Sequence, residues 1–280
     1  MGSAKMKLFI GLFLILSSII AFRSLSHQRA AVAVATNMTI NEVNHDAIPV
    51  VVELFTSEGC SSCPPADEVL SKLDKTQPIP GVEVIALGEH VDYWNRLGWK
   101  DPYSAEEFSA RQNKYSDAFK LDSVYTPQMI IDGAVEFAGG NLDHTRAAIT
   151  EAARSPKASV QLLLNQEIPN SRDLKLSVYV RDLPTLTAGD TAEVLLAITE
   201  NNLRSEVSRG ENSGRYLRHS AVVRVLTPIG NISGGQTFEA EPTVNLANSW
   251  QRDNLRAVAF VQERNARRIL GAAVLGLSAK

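Results

Sequence analysis

The sequence is poor in cysteine, in net charge and in long apolar runs, and each shortage removes a class of protein. Two cysteines in 280 residues are too few for a disulfide-rich scaffold. Twenty-eight basic side chains against 31 acidic ones leave a formal net charge of −3. That balance offers no electrostatic footprint for nucleic acid. Glycine (17) and proline (12) are too sparse for a collagen-like or low-complexity chain. Beyond residue 22 no apolar run is long enough to read as a membrane-spanning helix. What remains is an ordinary globular composition, 44% hydrophobic and 21% charged, at a length suited to one or two domains.

The first residues read as a targeting segment. Lys5 and Lys7 precede an uncharged apolar run over 8–22, which Arg23 ends, and Ala30, Ala31, Ala33 and Ala35 follow. A basic start, an apolar middle and an Ala-x-Ala site describe a secretory signal peptide over residues 1–35. The run of 15 falls short of the roughly 20 residues that a membrane helix needs. An uncleaved N-terminal anchor is the alternative and the only membrane association expected. Either way the remainder is expected to be exported, periplasmic or secreted, where disulfides persist. Residues 36–48 read as a linker.

Two textures follow. From 49 to 155, strands alternate with helices. The buried run Val50-Val51-Val52-Glu53-Leu54-Phe55 reads as a strand, and Val69, Leu70 and Leu73 share one face of the helix after it. Residues 82–87 read as a second strand. Asp132-Gly133 between two apolar runs predicts a hairpin. A last helix is expected over about 141–154, stopped by Ser155-Pro156. From 156 to 280, about seven short alternating runs separated by turn residues predict a β-sandwich-like domain. Arg204, Arg209, Arg215, Arg218 and Arg224 alternate there with Glu206 and Glu211, and read as a solvated, salt-bridged hairpin.

The chemistry is concentrated in Cys60-Ser61-Ser62-Cys63, between the first strand and its helix. Two intervening residues let both sulfurs meet in one turn. A helix N-terminus favours a thiolate there, and the thiolate is the attacking species in disulfide exchange. Cys60 is expected to attack and Cys63 to resolve. A second signal is Thr126-Pro127, just before the third strand. In thioredoxin-like folds a cis proline at that place packs beside the Cys-x-x-Cys pair, and only a following proline makes a cis bond plausible. Strand, Cys-x-x-Cys, helix, strand, Thr-Pro, hairpin and helix follow one another in the order of such a domain.

The resemblance extends further. Residues 53–65 (ELFTSEGCSSCPP), His90-Val91-Asp92-Tyr93-Trp94, Tyr125-Thr126-Pro127-Gln128 and residues 209–215 (RGENSGR) together resemble the exported thioredoxin-like family catalogued as domain of unknown function 1223. The resemblance covers nearly all of the mature chain. It implies fold and export, and no reaction. Two departures from thioredoxin itself stand out. Pro64 and Pro65 follow Cys63, so the regular helix is expected to begin only at Cys63 or Pro64. About 35 residues, 89–123, separate the second strand from Thr126-Pro127. They read as an insertion with a helix opened by a Ser104/Glu107 capping box.

The fold class expected is therefore α/β plus all-β: a thioredoxin-like domain with a helical insertion, then a β-sandwich-like domain. The function expected is thiol–disulfide oxidoreduction on cysteine-containing proteins or small thiols, with a redox partner protein and no cofactor. The candidate catalytic residues are Cys60, Cys63, Thr126, Pro127 and Glu53, the last a buried acid that relays a proton to Cys63. His90, Asp92 and Trp94 are candidates for substrate binding on the loop after the second strand. Glu58 is expected to face solvent, and His219 is given no role. Two alternatives stay open. One is a binding module whose cysteine pair is a permanent staple. The other is a zinc or copper carrier, with His90 or His144 joining the cysteines.

Overall fold

The structure is a computed structural model that describes residues 47–167 and 171–278. The expected signal peptide and most of the linker lie outside the described residues. The described residues belong to one compact unit, Asn44–Lys280. None of their helices is long and apolar enough to cross a membrane.

The centre is an eight-stranded sheet in the order β14 (Ile269–Gly276), β13 (Leu255–Glu263), β7 (Ala192–Glu200), β10 (Val222–Ile232), β2 (Val82–His90), β1 (Ile48–Thr56), β3 (Gln128–Ile131), β4 (Val135–Ala138). Strand β1 (Ile48–Thr56) runs parallel to β2 (Val82–His90) and antiparallel to β3 (Gln128–Ile131), which pairs with β4 (Val135–Ala138). Strand β1 is buried from Val50 to Thr56, because both of its faces are covered. Val50, Val52 and Leu54 pack under α1 (Pro64–Thr76) and α3 (Leu142–Ala152), with Leu70, Leu73 and Ile149. Val51 packs on the opposite face with Phe108 of α2 (Glu106–Phe119), and Phe55 with Tyr115 of the same helix.

The boundary expected at 155/156 falls between α3 and the strand that follows it, inside the compact unit, and the central sheet runs across it. Strand β10 (Val222–Ile232) joins β2 in parallel at Val222 and Gly88, and carries β7 (Ala192–Glu200) on its other side. Strands β13 (Leu255–Glu263) and β14 (Ile269–Gly276) complete the sheet. β14 returns to the β3–β4 turn, where Ile269 N–H donates to the Asp132 carbonyl at 2.7 Å. A second, four-stranded sheet is built on β6 (Asp173–Arg181). It pairs with β5 (Ser159–Glu167), β11 (Phe238–Ala240) and β12 (Thr243–Asn245). Leu174, Leu176, Val178 and Val180 of β6 share a core with Val194, Leu196 and Ile198 of β7. The alternation of β6 follows from this single buried face, whereas β7 is apolar on both faces because Leu195 and Ala197 pack into the core on its other side.

Two local expectations are corrected. The α2 capping box does not form: the helix starts at Glu106, and Ser104 Oγ donates instead to the Asp101 carbonyl and accepts from Asn95 Nδ2. A nearby loop offered Ser104 better partners than its own helix. The apolar run near 237–244 is two strands, interrupted at Glu241-Pro242 because proline donates no ladder hydrogen bond. The Arg-rich segment contains a hairpin of β8 (Leu203–Glu206) and β9 (Tyr216–His219), joined by residues 207–215.

Candidate functional site

The β1 strand ends at Thr56 and the chain makes a tight turn into α1. Cys60 N–H donates to the Ser57 carbonyl at 3.1 Å and Cys63 N–H to the Cys60 carbonyl at 3.2 Å. Cys63 caps α1, and Pro64 and Pro65 take the first two helical positions, where no N–H is needed. The Cys63 carbonyl accepts from Ala66 and Asp67 N–H. Cys60 and Cys63 are joined by a disulfide with Cα atoms 5.4 Å apart. Both residues are 0% exposed, while Ser61 and Ser62 between them face solvent. The Ser62 hydroxyl donates to Cys60 Sγ at 3.4 Å.

Thr126, Pro127 and Trp94 gather at this turn. The Thr126–Pro127 bond is cis. The Pro127 carbonyl accepts from Gly139 N–H at 3.0 Å, and Gly139 lies so close to the first turn of α1 that a Cβ there would sit 2.8 Å from Ala66 Cβ. Trp94 Nε1 donates to Thr126 Oγ1 at 2.8 Å, and the same residue packs against Gly59. Trp94 thus ties the cysteine turn to the Thr-Pro segment.

The other candidates go elsewhere. Asp92 faces α2: its N–H donates to Ser109 Oγ at 3.1 Å, and Ser109 Oγ donates back to its carboxylate at 2.5 Å. Glu53 points to the face away from α1. It is wholly buried and bonded to Arg111 Nε at 2.7 Å and to the Tyr115 hydroxyl. Period-two alternation dictates this, since Glu53 shares its face with Val51 and Phe55. Glu89 joins the same cluster, 3.3 Å from Arg111 Nε. Burial raises the Glu89 pKa well above the usual carboxylate range despite the Arg111 charge.

Beneath the cysteine turn lies a polar cluster that the sequence reading missed. His90 is 1% exposed, and its Nδ1 lies 2.7 Å from Asp101 Oδ2. Burial alone would lower the His90 pKa, but Asp101, with the nearby Asp67 and Glu58, raises it on balance. Asp101 also accepts from Glu58 N–H at 2.8 Å. Glu58, expected in solvent, is wholly buried: it accepts from Trp99 Nε1 at 2.7 Å and pairs with His219 Nε2 at 3.0 Å. The His90 and His219 rings meet edge to face at 4.8 Å. Asp67 of α1 lies within electrostatic reach of both histidines, and desolvation raises its pKa.

His219 arrives on β9, and the loop before β9 reaches the cysteines directly. Asn212, 0% exposed, donates through Nδ2 to the Glu58 carbonyl at 2.9 Å and to the Cys60 carbonyl at 2.8 Å. Glu211 accepts from Ser61 N–H at 3.0 Å and from Ser61 Oγ at 2.7 Å. These hydrogen bonds lower the Glu211 pKa. The string at 209–215, which carries part of the family resemblance and falls in the expected solvated arginine hairpin, is the sequence signal that points to them. Among the described residues no three His, Cys, Asp or Glu side chains are arranged to hold a metal ion. His144 instead stacks on Phe137 at 4.1 Å.

A family model described as "Protein of unknown function (DUF1223)" matches residues 51–262. No curated protein matches. Among solved structures, protein AGR_C_4864 of Agrobacterium tumefaciens is 27% identical. The alignment covers 84% of this chain and 96% of that one, with a TM-score of 0.59. A β-glucosidase of Kluyveromyces marxianus is 14% identical over 44% of this chain and 14% of its own, with a TM-score of 0.22. β-Glucosidase 3B of Thermotoga neapolitana is 10% identical over 76% and 23%, with a TM-score of 0.24. Neither likeness to a glucosidase carries weight at such scores.

Proposed function

Because the chain belongs to the DUF1223 family, whose description assigns no reaction, its chemistry must be argued from the site, and we propose that it is an exported, thioredoxin-like thiol–disulfide oxidoreductase. The observation that carries this reading is the Cys60–Cys63 disulfide at the N-terminus of α1. Support comes from Thr126-Pro127 beside that turn and from the strand order β2-β1-β3-β4 with α1 and α3 on one face. The closed loop holds only two intervening residues, so the pair constrains little unfolded-chain entropy and stabilises the fold little as a staple. In the forward half-reaction a thiolate attacks Cys60 Sγ, the S–S bond breaks, and Cys63 leaves as a thiolate. A second thiol then attacks the mixed disulfide and releases Cys60, so two electrons enter the pair. Cysteine-containing proteins or small thiols are the substrates, and the basic, apolar start of the chain supports export.

One observation favours a second reading. Both cysteines are wholly buried in this oxidised form, as in a permanent disulfide of a binding module. The Cys63→Ala variant separates the two. An oxidoreductase accumulates mixed disulfides on Cys60 with substrate proteins, and loses them in the Cys60→Ala/Cys63→Ala double variant. A pair that forms no adduct, with a reduction potential below about −300 mV, is a structural disulfide.

A further inference from the structure

We propose that the β8–β9 loop is a latch on the cysteine turn, and that Glu211 and Asn212 are positioning residues whose release admits a thiol to Cys60. This deepens the oxidoreductase reading and rests on it. Cys60 Sγ has no exposed surface, so an attacking thiolate reaches it only if the turn moves. Four hydrogen bonds from the loop oppose that movement: two from Asn212 Nδ2 to the Glu58 and Cys60 carbonyls, and two from Ser61 to the Glu211 carboxylate. The Ser61 bonds are charge-assisted, and so are stronger than neutral ones.

The loop is built to move as a unit. Two backbone bonds close its base, from Val207 N–H to the Arg215 carbonyl at 3.0 Å and from Gly214 N–H to the Val207 carbonyl at 2.8 Å. Between these only Asn212 is buried. Residues 208, 209, 211, 213 and 214 are exposed. Such a segment has little apolar burial to hold it down, so its hold on the cysteine turn rests on those four hydrogen bonds. The buried Asn212 Oδ1 has no hydrogen-bond partner, so Asn212 reaches the turn at the cost of one unsatisfied acceptor.

The test is the rate at which dithiothreitol reduces the Cys60–Cys63 bond in the full-length protein, followed by acid quench, alkylation and mass. Dithiothreitol supplies both electrons and both protons and ends as its cyclic disulfide. Glu211→Ala, a change at an exposed side chain, is expected to raise the second-order rate constant about tenfold, the order expected for losing its two solvent-exposed, charge-assisted bonds to Ser61. Glu211→Gln, which keeps an acceptor, falls between. Ser208→Ala, on the same loop, matches the wild type. Asn212→Ala accelerates as well, but its buried site requires a matching thermal midpoint before it counts. A merely structural role for Glu211 would shift the midpoint and leave the rate alone. An unchanged or slower rate in Glu211→Ala, including no reaction in either protein, overturns the latch. Acceleration without turnover of a disulfide substrate keeps the latch and defeats the oxidoreductase reading. Turnover without acceleration does the reverse.

Discussion

Arg111 is the residue on which the buried face of β1 depends. Its guanidinium stands between Glu53 and Glu89 and over the Tyr115 and Phe260 rings, 5.2 and 5.6 Å from their centroids. Arg111→Met would leave the Glu53 carboxylate beside the buried Glu89 carboxyl with its main cationic partner gone. The expected loss is about 3–5 kcal/mol of unfolding free energy, the usual cost of orphaning a buried charge, read by urea titration at pH 7. Asp132 provides a pH test. Its carboxylate accepts from Val51 N–H at 2.8 Å and pairs with Lys157. Burial raises its pKa from 3.8 to about 6, with Lys157 pulling the other way. The folded state therefore holds this proton more tightly than the unfolded chain. That contribution is complete below about pH 4 and is lost as pH rises through about 6. Asp132→Asn removes the titration. Its stability relative to wild type should climb by about 2–3 kcal/mol between pH 4 and 7, and parallel curves would contradict this.

The elements show why residue-level reading succeeded unevenly. The Asp-Gly signal located a real turn: Asp132 and Gly133 have φ of 47° and 64°, and Ala134 N–H donates to the Ile131 carbonyl at 3.0 Å. What the pair also does was invisible in sequence. Gly133 lies under the turn between β13 and β14, where a Cβ would stand 1.9 Å from the Arg267 carbonyl oxygen. Gly133→Ala combines a left-handed backbone with a clash against backbone. It should destabilise by more than about 3 kcal/mol or abolish soluble expression, in contrast to Gly81→Ala, where nothing lies nearby. Helix α3 was legible to within two residues, since Asn141 caps it by accepting from His144 N–H at 3.0 Å. The α2 cap was not, because Ser104 was claimed by partners in the preceding loop.

At the scale of the molecule, the halves divided by texture are interleaved. Phe260, Val258 and Ile269 from the C-terminal segment cover Val51, Ile85 and Leu87 of the N-terminal one. Arg256 pairs with Asp74 of α1 at 2.6 Å. A fragment of residues 47–155 would expose that apolar face and leave the edge of β2 open. It should show no cooperative urea transition, whereas residues 44–280 should unfold in one step; a sharp transition in the fragment would contradict this. The same interleaving brings His219, Glu211 and Asn212 to the cysteine turn.

Local order was readable from the chain alone: the burial of β1, the helix after Cys63, the disulfide-ready spacing and the Asp132-Gly133 turn each depend on neighbours within a few positions. Side-chain period and turn chemistry act over that range. Glu58 and His219 are 161 residues apart, and Glu211 and Ser61 are 150 apart. Their pairing is decided by which strand edges meet, and it turned an acid expected in solvent into a buried partner and a surface arginine hairpin into the clasp of the cysteine turn.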